Sequence, residues 1–204
     1  MRRPMLTALS LIVAAPLLAQ SAPQMPGALD PARVQAGNYT VENHHAQILW
    51  TANHFGFNDY FGIFGQPTGT LSLDPKDPNA AKLSVTIPIA DVATSRADLT
   101  KHLMGTDFFD VAKYPTATFV STSVTASGNE AKITGDLTLL GVTKPIVLDA
   151  KFTGAGKNPF NMKETIGFHA KTKIKRSEWG MTRYIPLVSD DINIKISIAF
   201  EKTA

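Results

Sequence analysis

The stretch Gly135-Asp136-Leu137-Thr138-Leu139-Leu140-Gly141-Val142-Thr143-Lys144-Pro145-Ile146-Val147-Leu148-Asp149 decides the fold. Before Gly141, the residues Ile133, Gly135, Leu137 and Leu139 share one face, with Lys132, Thr134, Asp136 and Thr138 opposite. After it, Ile146, Leu148, Ala150 and Phe152 alternate with Asp149 and Lys151. Period-two runs on both sides of a glycine-containing connection predict a β-hairpin with one buried face. A lone hairpin is marginal in water, so this one belongs to a larger antiparallel sheet.

The same alternation recurs outward from the hairpin. Upstream, Ile48, Trp50 and Ala52 alternate with Gln47, Leu49 and Thr51 in a strand over His45 to His54. A turn over 55–59 follows, then a segment from Tyr60 to Leu73 broken by Gly62, Gly65 and Gly69, which mark bends. Leu83, Val85, Ile87 and Ile89 share a face, and Thr116 to Val124 is rich in sheet formers. Between them the period is lost, which predicts a short helical insert around residues 93–110. Downstream, Gly154-Ala155-Gly156-Lys157-Asn158-Pro159 reads as a turn. Strands follow over Thr165 to Ile174 and through Ile192, Ile194, Ile196, Ile198 and Phe200, with a loop or helical turn at 176–181. About eight short strands predict a sandwich or a barrel, and one-sided alternation with scattered strand glycines favours the barrel. An eight-stranded barrel fills its interior with side chains or holds one small ligand.

The chain has 204 residues, enough for one domain with a real core. Arg2 and Arg3, an apolar run from Met5 to Leu18, and then Ala19-Gln20-Ser21-Ala22 describe a secretory signal peptide over residues 1–22. Pro16 interrupts the run, which is shorter than the ~20 residues of a membrane span. Residues 23–36, with Pro23, Pro26, Gly27 and Pro31, read as a flexible leader. The domain itself is expected over 37–204. The whole chain carries a charge of +3. Without residues 1–22 it has 18 Lys and Arg against 17 Asp and Glu, a near-neutral balance that gives no support to a nucleic-acid partner. The absence of cysteine excludes thiol catalysis and thiolate metal sites.

The hairpin residues Gly135-Asp136-Leu137-Thr138-Leu139-x-Gly141-Val142-Thr143-Lys144-Pro145 resemble the signature hairpin of the YceI-like family of periplasmic lipid-binding proteins. The resemblance runs from Gly37 to Glu201. It takes in Gly37-Asn38-Tyr39-Thr40-Val41, the pair His45 and His54, Gly56-Phe57, Gly62-x-Phe64 and His102-Leu103. It continues through Asp107-Phe108-Phe109-Asp110, Tyr114-Pro115-x-x-Thr118-Phe119 and Arg176-Ser177-x-Trp179-Gly180-Met181. The chain departs from the pattern at Ala46, Thr100 and Met104, where Ser, Asp and a basic residue are usual. The resemblance implies an all-β, antiparallel, eight-stranded lipocalin-like barrel in the periplasm. It implies an interior pocket for a long-tailed amphiphile: a polyisoprenoid, an isoprenoid quinone or a fatty-acid derivative. It implies no resident cofactor, and a homodimer is left open.

Large apolar residues near strand ends are the candidates for the tail: Trp50, Phe55, Phe57, Phe61, Phe64, Leu103, Phe108, Phe109, Phe119, Trp179 and Met181. Each is balanced against an ordinary core role. Burying a tail of ~20 carbons gives on the order of 15 kcal/mol gross at ~0.8 kcal/mol per CH₂, so affinity needs only apolar contact. Selectivity then rests on a few polar groups, for which His54, Arg96, His102 and Arg176 are the candidates. For Arg176 and Arg183, bracing the late loop is the competing role. His45, His54 and His169 lack metal-ligand spacing. There is no Gly-x-Ser-x-Gly, no phosphate-cradling loop and no His-Glu-x-x-His, so no catalytic residue is assigned. An enzyme for a small hydrophobic substrate rests only on Arg96, Asp98 and His102 lying close in sequence. Asp98 and His102, four apart, are expected to face each other as a helix-stabilising pair.

Overall fold

The computed structural model describes residues 24–203; the expected signal peptide lies outside them. Ten strands and one α-helix follow in order: β1 (Gly37–His54), β2 (Asn58–Gly65), β3 (Thr68–Leu73), β4 (Lys82–Pro88), β5 (Val92–Thr94), α1 (Ala97–Met104), β6 (Thr116–Ser127), β7 (Glu130–Leu139), β8 (Val142–Lys157), β9 (Glu164–Lys175) and β10 (Val188–Lys202). All the strand pairings are antiparallel. Eight strands close a circuit, β1-β3-β4-β6-β7-β8-β9-β10, with β10 returning to β1. β2 and β3 take successive halves of the same edge of β1, and β5 pairs only with β2. The fold is therefore the expected eight-stranded lipocalin-like barrel, with β2 and β5 as an extension at one end.

The β7–β8 hairpin is built as its sequence predicts. Leu140 and Gly141 form a two-residue loop with φ of 51° and 73°, the positive pair of the type I′ turn that suits the strand twist. Gly135 faces Phe119, whose ring fills the space a side chain there would need.

β1 starts at Gly37, earlier than the alternation suggests. The register shifts between Glu42 and Gln47, so Tyr39 and Val41 point inward before the shift and Ala46, Ile48, Trp50 and Ala52 after it. A bulge of this kind flips the parity of the strand and hides it from a period-two reading. β6 shifts between Ser121 and Ser123, and the Ser121 hydroxyl accepts the Leu83 N–H at 2.8 Å.

β8 also shifts register, between Phe152 and Gly154, and corrects the expected turn at 154–159. It runs on to Lys157, and the turn is at 158–163. Buried Glu201 of β10 fixes that turn: its Oε1 accepts from Asn158 at 2.9 Å and Asn161 at 2.7 Å, and Lys163 sits 3.2 Å from Oε2. The glycines misread as a turn serve a close approach instead. Pro26 to Ala28 crosses β8 there, Ala28 bridges Ala155, and the Pro26 carbonyl occupies the space of a Gly156 side chain. The stretch expected as a leader thus continues as a strap: a 3₁₀ turn at Pro31–Arg33 capped by Asp30, then Val34 packed against the core of Tyr39, Phe152 and Phe200.

Candidate functional site

Two cavities run through the barrel and share the wall residues Ile48, Ile87, Leu137 and Ile194, which form a waist. The smaller, about 290 Å³, is lined by Leu71, Leu83, Phe119, Leu148, Phe168 and neighbours, with Pro31 and Val34 of the strap at its end. The larger, about 630 Å³, lies under α1 and the loop 182–187. The larger falls within the size range of small-ligand sites, roughly 300–1,000 Å³, and the smaller lies at its lower bound.

The larger cavity is apolar within and polar at its edge. Trp50, Phe64, Leu103, Phe108, Phe109 and Met181 contribute its apolar wall. α1 supplies Leu99, His102 and Leu103 at helical spacing, with Leu103 buried and His102 toward solvent. Thr100 fixes the helix to β5, its hydroxyl accepting the Thr94 N–H at 3.1 Å. Phe109 meets Phe64 edge-on, with centroids 5.4 Å apart, and so holds the segment after α1 on β2. Asn58, Arg96, His102 and Tyr184 are all exposed, so the cavity reaches solvent between them.

All four residues expected at the polar head border this cavity, but they are not alike. Arg176 is only 3% exposed. Its guanidinium donates to the carbonyls of Ser189 and Met181 at 2.9 Å, and to Arg183 at 2.9 Å and Val188 at 3.0 Å. It is the brace of the 181–189 loop, and its capacity is spent there. Burial pushes its pKa down from the ordinary guanidinium range, with Asp190 opposing. Arg96 pairs with Asp98 through Nε at 3.0 Å and a terminal nitrogen at 2.6 Å. That hydrogen bond holds the Asp98 carboxyl at about 2. The expected Asp98–His102 pair is therefore corrected: His102 Nε2 lies 3.5 Å from Asp107, and Arg183 lies 3.7 Å from the same carboxylate oxygen. His54 packs on Phe55, with centroids 4.0 Å apart.

Several apolar candidates fall elsewhere. Phe119 lines the smaller cavity. Trp179 is 2% exposed but lines neither cavity; its Nε1 donates to the Leu137 carbonyl at 3.2 Å, pinning the 3₁₀ turn Arg176–Trp179 to β7. Phe55, Phe57 and Phe61 are exposed and line neither cavity. Phe55 and Gly56 both have positive φ in the tight β1–β2 turn, where side chains splay into water. Phe61 sits on β2 with the opposite parity from Tyr60, Gly62 and Phe64. That parity is legible in the sequence, and it also marks Tyr60 as a wall residue. Asn58 and Tyr184 carry no comparable signal, because loop geometry alone brings them to the edge.

A closed antiparallel barrel with a roomy apolar interior and a polar opening is a small-ligand-binding barrel of the lipocalin-like class. The YceI-like domain model matches residues 39–200, and the chain belongs to that family. It is 41% identical over 165 residues to Protein YceI of Escherichia coli O157:H7, covering 80% of this chain and 86% of that one, and 41% identical over the same shares to Protein YceI of Salmonella arizonae. Among solved structures, a Campylobacter jejuni YCEI protein is 36% identical with a TM-score of 0.64, over 74% of this chain and 90% of its own. A polyisoprenoid binding domain from Saccharophagus degradans shares the fold at 13% identity, with a TM-score of 0.62 over 83% of this chain and all of its own.

Proposed function

We propose that this protein is a non-enzymatic carrier that holds the tail of a long amphiphile, such as a polyisoprenoid, in its two joined cavities and leaves the head at the edge near Arg96 and His102. The observation that carries this reading is the continuous apolar wall. Ile48, Ile87, Leu137 and Ile194 belong to both cavities, so the two apolar spaces adjoin at these aliphatic side chains, and a tail that parts them runs from the larger into the smaller. Family membership and the fold shared with a polyisoprenoid binding domain support it. The basic start, apolar run and small residues of the N-terminus support a periplasmic setting. No helix among the described residues is long and apolar enough to cross a membrane, which suits a carrier that exchanges its cargo.

Native mass spectrometry of protein purified from its source, followed by lipid extraction, tests the reading. A stoichiometric long-tailed amphiphile is expected. Protein that emerges bare, and takes up no polyprenyl lipid when offered it, would refute carriage.

A further inference from the structure

We propose that Asp98 and Asp107 make the cavity edge select amphiphiles with an uncharged, hydrogen-bonding head over the same tail carrying a phosphate or diphosphate. The inference rests on the cavity being the ligand site. The cationic side chains at the edge are already answered by carboxylates. Arg96 is engaged by Asp98 at two points. Asp107 stands between His102 on α1 and Arg183 on the facing loop, 3.5 and 3.7 Å from them. Arg176 also borders the cavity, but it is buried with its donors turned to four carbonyls. Of the remaining charges nearby, Asp59 accepts from Asn53; Lys101, like Asp98, Asp107 and Arg183, stands just outside the cavity lining, and one more carboxylate with one more ammonium leaves the balance of the edge unchanged.

The consequence follows from charge balance. An anionic head brought to this edge meets Arg96 and Arg183 with the carboxylates of Asp98 and Asp107 beside them, so attraction and repulsion nearly cancel. It still loses water, and a charge that loses water without a net partner is strongly disfavoured. A quinone or amide carbonyl, or a hydroxyl, has far less hydration to lose. Asn58, Tyr60 and Tyr184 line the same edge and offer uncharged donors and acceptors. The ion pairs are exposed and contribute little to holding the fold. Their carboxylates can therefore be neutralised without unfolding the barrel.

The test compares three ligands with one polyprenyl tail: the alcohol, the benzoquinone and the diphosphate. Binding is read by native mass spectrometry and by quenching of tryptophan fluorescence. The alcohol and quinone are expected to bind at least about tenfold more tightly than the diphosphate. In the Asp98→Asn, Asp107→Asn double variant the gap is expected to close about tenfold, through stronger diphosphate binding. Equal binding of alcohol and diphosphate by the unsubstituted protein would overturn the proposal, as would a double variant with the same preference. If no ligand of the three binds, the carrier reading itself fails and the selectivity falls with it.

Discussion

The indole of Trp50 lies against Gly62, its partner across the β1–β2 ladder, and fills the space that a side chain at 62 would occupy. Trp50 is also part of the larger cavity's wall, so the glycine sets where that wall stands. Gly62→Ala is expected to force the indole aside, costing about 1–3 kcal/mol in urea unfolding. It should also weaken tail binding, while Gly65→Ala, where space is open, leaves binding unchanged. Titration of both variants with a polyprenol is the check; equal behaviour would contradict this account of the wall.

Arg176 ties two carbonyls of the late loop and two at the start of β10 to a single buried side chain. Arg176→Met leaves those acceptors unmatched and is expected to cost at least about 3 kcal/mol. Arg176→Lys should recover only part of this, because an ammonium cannot reproduce the planar fork. Hydrogen exchange at Phe55, whose N–H donates to the Leu187 carbonyl, reports whether the loop has loosened.

The waist makes a prediction about tail length. Ile194, which lines both cavities, stands where they adjoin, and Ile194→Trp is expected to block a tail from reaching the smaller one. Long polyprenols should then bind at least about tenfold more weakly, while tails short enough for the larger cavity keep their affinity. A uniform loss across a length series would show that no tail passes Ile194.

Glu201 gives a pH dependence. Burial pushes its carboxyl up, but the bonds from Asn161, Asn158 and Lys163 outweigh that and leave it below the ordinary glutamate value of 4.5. A carboxyl lowered on folding stabilises the folded state above its unfolded pKa, and that contribution disappears as pH falls through the folded pKa. The turn 158–163 is therefore expected to loosen below about pH 4, and Glu201→Gln should flatten the dependence. Stability measured from pH 7 downward in both proteins decides this.

Exposure separates the phenylalanines. Phe57 is 88% exposed, so Phe57→Ser should change stability by no more than about 0.5 kcal/mol and leave ligand binding intact. Phe64, buried against Phe109, is expected to lose about 3–5 kcal/mol on truncation to alanine. Thermal or urea unfolding of the pair provides the comparison.

Much of the barrel is legible because inward and outward residues alternate in β7, in β9 and in β10 from Ile192 to Ile198. The alternation breaks where bulges reverse that parity, at Glu42–Gln47 in β1 and at Phe152–Gly154 in β8. Gly154 and Gly156 looked like turn residues because their reason for being glycine is a segment more than a hundred residues away. The site was legible in part for a related reason. Hydrophobicity identified Phe55 and Phe57 as large apolar groups but carried no information on which side of a tight turn they project. His102 and Arg96 were recognisable as polar groups beside an apolar helix face. The carboxylate beside His102 is not legible in the same way, because Asp107 reaches His102 and Arg183 only once the turn after α1 has closed.

The crossing of Pro26–Ala28 over β8 moves the true edge of the cooperative unit. A chain trimmed to begin at Gly37 would keep every barrel strand yet leave a bare trough above Gly154 and Gly156, and the core of Tyr39, Phe152 and Phe200 would lose the packing of Val34. Fusion partners and affinity tags therefore belong ahead of residue 24.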